Sequence, residues 1–124
     1  MSHTLLVADD EPNIVISLEY LMKREGYHVL VAANGDEALE TIVRERPDLV
    51  LLDVMMPGKS GFEVCQAVRE DAALEGVRIL MLTAKGRDTD ISKGLALGAD
   101  AYMTKPFSTR ELVQKVSEML AAPR

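Results

Sequence analysis

The stretch "LVLLD", Leu49 to Asp53, is apolar throughout until it ends in a carboxylate. Three other short apolar runs also end in residues that can do chemistry. "TLLVA" is followed by Asp9, Asp10 and Glu11, "RILMLT" ends in Thr83, and "AYMT" is followed by Lys105. A carboxylate can attack phosphorus to give an acyl phosphate, and Asp53 is the candidate nucleophile. The transferred phosphoryl group is loosely bonded and highly charged, so the protein mainly has to position and neutralise it. The Lys105 ammonium, the Thr83 hydroxyl and the backbone N–H groups after Asp53 could hold its oxygens. The acids also need compensation, because two like charges ~4 Å apart repel by about 4 kcal/mol at an effective dielectric of ~20. A hard divalent cation with oxygen ligands meets that need, and Mg²⁺, which tolerates few carboxylates and keeps several waters, fits best.

These residues can meet only if the chain brings the ends of four runs to one edge. The runs Thr4 to Ala8, His28 to Ala32, Leu49 to Asp53, Arg78 to Thr83 and Ala101 to Thr104 read as five strands. Between and after them, apolar residues recur at helical spacing, as in Ile14, Leu18, Leu21 and Met22, in Ala38, Leu39, Ile42 and Val43, and in Leu112, Val113, Val116, Met119 and Leu120. Five strands alternating with five helices, the strands continuously apolar, imply an α/β domain with a parallel sheet covered on both faces. In such open sheets, ligands gather at the carboxyl ends of the strands.

Local signals agree with this division. Pro12 suits the first turn of a helix beginning near Glu11, and Gly26 reads as its stop. Asn34 opens the second helix, Pro47 closes it, and Ser108 with Glu111 forms a capping box for the fifth. Residues 1–124 read as a single domain, with "AAPR" at the end as a frayed tail.

Composition narrows the function classes. With 48% hydrophobic and 27% charged residues in 124, the chain can bury a core of its own. A net charge of -6 argues against a free-standing nucleic-acid binder, which needs a basic face to displace counterions from phosphates. The one cysteine, Cys65, excludes an internal disulfide and a thiolate cluster, and its place in a helix marks it as a buried thiol. His3 and His28 fall in different strands with no partner one turn away, which disfavours a metal role. Signal-peptide features are missing at the N-terminus and no apolar run approaches ~20 residues, so the expected location is cytoplasmic and off the membrane.

At "DD" (Asp9, Asp10), "LLDVMMPGKSGFEV" around Asp53, "LTA" with Thr83 and "GADAYMTKPF" with Lys105 and Pro106, the sequence resembles the receiver domain of two-component response regulators. The resemblance runs from about Leu5 to Leu120 and implies a doubly wound, flavodoxin-like sheet in strand order 2-1-3-4-5. It implies that Asp53 accepts a phosphoryl group from a histidine kinase or phosphotransfer protein, with Thr83 and Lys105 holding that group. Asp9, Asp10, Asp53 and the Met55 backbone carbonyl would bind Mg²⁺. The bond before Pro106 would be cis, aiming Lys105 at the site. Tyr102 would follow Thr83 on phosphorylation and alter the surface of the fourth helix, fifth strand and fifth helix, where an effector protein or a second copy could bind. "GLALGADAYMTKPFSTREL" is further similar to receivers that dimerise through paired charges on that surface; Lys93 with Glu111 matches one pair and Asp100 with Lys115 a second, whereas Ala101 replaces an acid of the third. The implied role is signalling rather than turnover.

Taken singly, these residues have plainer explanations. Asp9 and Asp10 would suit a helix N-terminus, Thr83 a strand end, Lys105 a solvated surface and Tyr102 simple packing. Their joint register at strand tips is what favours the phosphoacceptor reading. A phosphohydrolase with an aspartate nucleophile would place a second acid two residues on, where Met55 stands, and a flavin module would need a Ser, Thr and Gly loop where "DDEPN" stands. "GKS" at Gly58 to Ser60 lacks the glycine a phosphate-binding loop needs five residues earlier. The resemblance further implies that Met55 and Lys85, each two residues past a site residue, influence the access of attacking water to the phosphorylated form.

Overall fold

The structure is a computed structural model and describes residues 3–84 and 87–122, which leaves Lys85 and the end of the "AAPR" tail outside the described residues. Its elements run β1 (Thr4–Ala8), α1 (Pro12–Arg24), β2 (His28–Ala32), α2 (Gly35–Glu45), β3 (Leu49–Asp53), α3 (Gly61–Arg69), β4 (Arg78–Ala84), α4 (Asp88–Ala96), β5 (Ala101–Lys105) and α5 (Thr109–Ala121), with a 3₁₀ turn at Ala72–Leu74 before β4. All strand pairs are parallel, and the order is β2-β1-β3-β4-β5.

Strand residues alternate between the two faces, so each run splits its side chains between two cores. Leu6, Val50, Leu52, Ile79 and Met81 pack under α2 and α3. Leu5, Leu49, Leu51, Leu80 and Leu82 pack under α1 and α5. Each such leucine contributes about 2 kcal/mol on burial, which holds β1, β3 and β4 rigidly at the centre of the sheet. Their carboxyl ends are therefore fixed points, and they carry Asp9, Asp53 and Thr83.

Short-range signals set most boundaries as read. Pro12 occupies the first turn of α1, and Gly26, at φ +93°, ends it where a side chain would be strained. Asn34 and Ser108 cap α2 and α5 by accepting the amides of Glu37 and Glu111. The complete reciprocal box forms instead at Ser60 and Glu63, at the start of α3. Helix α2 stops before Pro47: Arg46 turns left-handed at φ 46° and its N–H returns to the Ile42 carbonyl. Pro47 disfavours the helical conformation at the residue before it, so the chain leaves the helix there. His3 stands one residue ahead of β1 rather than within it.

Candidate functional site

Parallel pairing places the predicted residues on one edge. Ala84 pairs with Lys105 and Thr83 with Thr104, while Asp53 lies beside Leu82. Asp9 continues β1 by one residue, its N–H bonded to the Ala32 carbonyl at 3.1 Å. The Lys105 ammonium crosses the edge to Asp9 Oδ2 at 2.9 Å, Asp53 Oδ1 at 3.5 Å and Glu11 Oε1 at 3.6 Å. The other Asp9 oxygen accepts the Glu11 amide at 2.9 Å. The bond between Lys105 and Pro106 is cis.

Burial makes this arrangement electrostatically demanding. Asp9 is fully enclosed and Asp53 is only 5% exposed, whereas Asp10 is open to solvent. Desolvation, reinforced by the Asp9 charge, pushes the Asp53 carboxyl up to about 6, against the pull of Lys105 and of the Met55 backbone N–H. Burial alone would lower the Lys105 pKa, but its bond to Asp9 and the charges of Asp53 and Glu11 outweigh that and raise it. The lysine is thus firmly charged, and its one ammonium faces Asp9, Asp53 and Glu11.

The donor set fits a hard divalent cation. One oxygen each from Asp9, Asp10 and Asp53 lies within 4.8 Å of the others, all of the ligand type Mg²⁺ takes. Thr83 supplies an independent sign of an incoming group: its buried Oγ1 has no hydrogen-bond partner among the described residues. A buried hydroxyl left unpaired costs about 1–3 kcal/mol, and Thr83 Oγ1 is thus a donor still available at this edge.

A cleft of about 310 Å³ opens above these groups. Asp53, Met55 and Lys105 line it, with Met55 63% exposed at its side. The loop carrying Met55 is tied to the start of α2, where the Gly35 N–H meets the Pro57 carbonyl at 3.1 Å and Lys59 meets Asp36 at 3.1 Å.

A family model described as the response regulator receiver domain matches residues 5–117. The chain belongs to the response regulator receiver domain family. Among solved structures, one described as a response regulator of Chloroflexus aurantiacus is 39% identical, with 98% of this chain and 100% of that chain covered and a TM-score of 0.94. The chemotaxis response regulator CheY4 of Vibrio cholerae is 32% identical over 96% of this chain and 99% of that chain, with a TM-score of 0.90. The BeF3-activated receiver domain of Klebsiella pneumoniae RstA is 30% identical over 96% of this chain and 99% of that chain, with a TM-score of 0.88. The receiver is therefore a module of two-component signalling, with the strand order expected of it.

The residues expected on the output face sit less simply. Tyr102 is exposed on β5 and Glu111 is exposed on α5. Lys93 on α4 turns toward α3, its ammonium 4.6 Å from the centre of the Phe62 ring. Asp100 is held at 2.8 Å by both Arg69 Nη2 and the Ile79 N–H. Lys115 is half-buried on α5. Sequence reasoning missed two residues that line the cleft, Arg87 and Asp90 at the start of α4. A basic residue followed three places later by an acid at a helix start was the available signal.

Proposed function

We propose that the receiver takes a phosphoryl group on Asp53 from a histidine kinase or phosphotransfer protein and passes the signal on through its α4, β5 and α5 face. The observation that carries this reading is the buried Asp53 carboxylate bridged by Lys105 to a second buried acid, Asp9, beside an unpartnered Thr83 hydroxyl. An Asp53 oxygen attacks phosphorus, and the bond from phosphorus to the donor's histidine nitrogen breaks. The Lys105 ammonium and the Thr83 hydroxyl take the phosphoryl oxygens, and the Met55 N–H supports the acceptor carboxylate. A Mg²⁺ ion held by Asp9, Asp10, Asp53 and the Met55 carbonyl would neutralise the remaining negative charge.

Because the new charge sits next to Thr83, that side chain is the one to move toward it, and Tyr102 on the neighbouring strand would follow. The changed face would then bind an effector protein or a second copy of the receiver. The setting is the cytoplasm, and among the described residues no helix is long and apolar enough to cross a membrane.

Intact-mass spectrometry after incubation with Mg²⁺ and a small phosphodonor tests this reading. The native receiver should gain one phosphoryl group; Asp53→Asn, and the native receiver without Mg²⁺, should gain none. Equal gain in the variant would move the acceptor elsewhere, and no gain in either would end the phosphoacceptor reading. A second outcome concerns lifetime. Met55 is apolar, so it cannot orient an attacking water by hydrogen bonding, and the phosphorylated form should be long-lived. Met55→Asn should hydrolyse several-fold faster when phosphate release is followed, and an unchanged rate would sink the idea.

A further inference from the structure

Among the described residues, two cations line the cleft above Asp53: Lys105 and Arg87. Lys105 is committed at the floor by its contacts to Asp9, Asp53 and Glu11. Arg87 stands on the solvent side, its side chain 50% exposed, with Nη2 3.0 Å from Oδ2 of Asp90. The Asp90 side chain is only 12% exposed and belongs to the first turn of α4, so it is the fixed partner of the two. A guanidinium carries five donors in a planar fork that suits phosphate oxygens. The Asp90 contact uses part of that fork and leaves donors for another anion.

The remaining charges on the cleft explain why such a cation is needed. Asp10, Glu11 and Asp53 line it with Asp90, and they repel any phosphodonor that approaches as an anion. We propose that Arg87, positioned by Asp90, receives a small acyl phosphate at the cleft before its phosphoryl group passes to Asp53. This rests on the phosphoacceptor reading above and adds the residue that admits the donor. In the step itself an Asp53 oxygen forms the new bond to phosphorus and the bond from phosphorus to the donor's bridging oxygen breaks. The donor departs as a carboxylate with that electron pair, and no further reactant is consumed.

The plain alternative is that Arg87 and Asp90 form an ion pair that only steadies the start of α4. Rates of Asp53 phosphorylation in Mg²⁺ buffer, followed by intact mass, separate the two when measured with acetyl phosphate and with the less negatively charged phosphoramidate. Arg87→Gln should slow the acetyl phosphate reaction by about fivefold, the size of one half-exposed charge contact, and slow the phosphoramidate reaction much less. It should also flatten the fall of the acetyl phosphate rate with added salt. Arg87→Lys should restore part of the rate, because the charge returns without the fork. Asp90→Asn acts through Arg87, so adding it to Arg87→Gln should cause no further loss. Equal slowing with both donors, or an unchanged salt dependence, would overturn the proposal and leave a helix-start ion pair. A native receiver that neither donor phosphorylates would bring down the phosphoacceptor reading itself, and this inference with it.

Discussion

Replacing Asp53 with Asn is expected to make the metal-free receiver more stable by about 1–3 kcal/mol at about pH 7.5. The native carboxyl is pushed from 3.8 to about 6, first by desolvation and then by the Asp9 charge. A raised acid pKa means that the folded state binds a proton more readily than the unfolded chain between those two values. Stability therefore falls as pH rises through that window, and above about 6 the full cost of the buried charge is present. Asparagine removes the charge at nearly the same shape, and Lys105 keeps its 2.9 Å bond to Asp9, so little of the local support is lost. Thermal unfolding in a chelating buffer should show the variant ahead by about 4 °C for each kcal/mol. The gap between native and variant should shrink as pH is lowered toward about 4, where the folded carboxyl is already neutral and the unfolded one has begun to lose its charge as well. Adding Mg²⁺ should also shrink it, because the native site gains more from binding the ion than a site with one carboxylate fewer. A variant that unfolds at or below the native temperature at about pH 7.5 in chelator would show that Asp53 is not strained by its neighbours.

The elements that hold this site were legible because their signals are local. Apolar runs such as Leu49 to Asp53 and helix starts such as Asn34 state their structure within a few residues, and the site residues follow from the strand tips. Contacts between elements were not legible in the same way. Lys93 over Phe62 and Asp100 on Arg69 depend on how α3, α4 and the start of β5 come together, and nothing in the spacing of those residues announces it. Both residues were expected to face a second copy of the receiver, so their internal contacts bear directly on that surface. Arg87 and Asp90 were hidden differently: their spacing reads as an ordinary helix-start pair, and only the packing of α4 beside β4 puts them over Asp53.

Gly61→Ala should cost about 3 kcal/mol and also slow phosphorylation, although alanine is the better helix former by about 1 kcal/mol. Gly61 is the first residue of α3, and its N–H bonds the Val54 carbonyl at 2.9 Å. A methyl group there would overlap the Asp53 carbonyl oxygen and come within 2.9 Å of the Val54 Cα. Those atoms are backbone at the end of the fully buried strand β3 and just past it, so they cannot rotate away as a flexible side chain could. Either α3 lifts from the sheet or the end of β3 shifts, and a shift carries the acceptor carboxylate with it. A displacement of about 1 Å at a reacting group can cost about a hundredfold in rate, so folded molecules of the variant should still be slow acceptors. Gly76→Ala is the matched control, because its methyl group would meet open space. Urea unfolding should separate the two variants by about 3 kcal/mol, and intact-mass time courses should show slowing in Gly61→Ala alone. If both variants unfold alike, helix propensity outweighs the overlap, and the close docking of α3 on the strand end is not what fixes Asp53 in place.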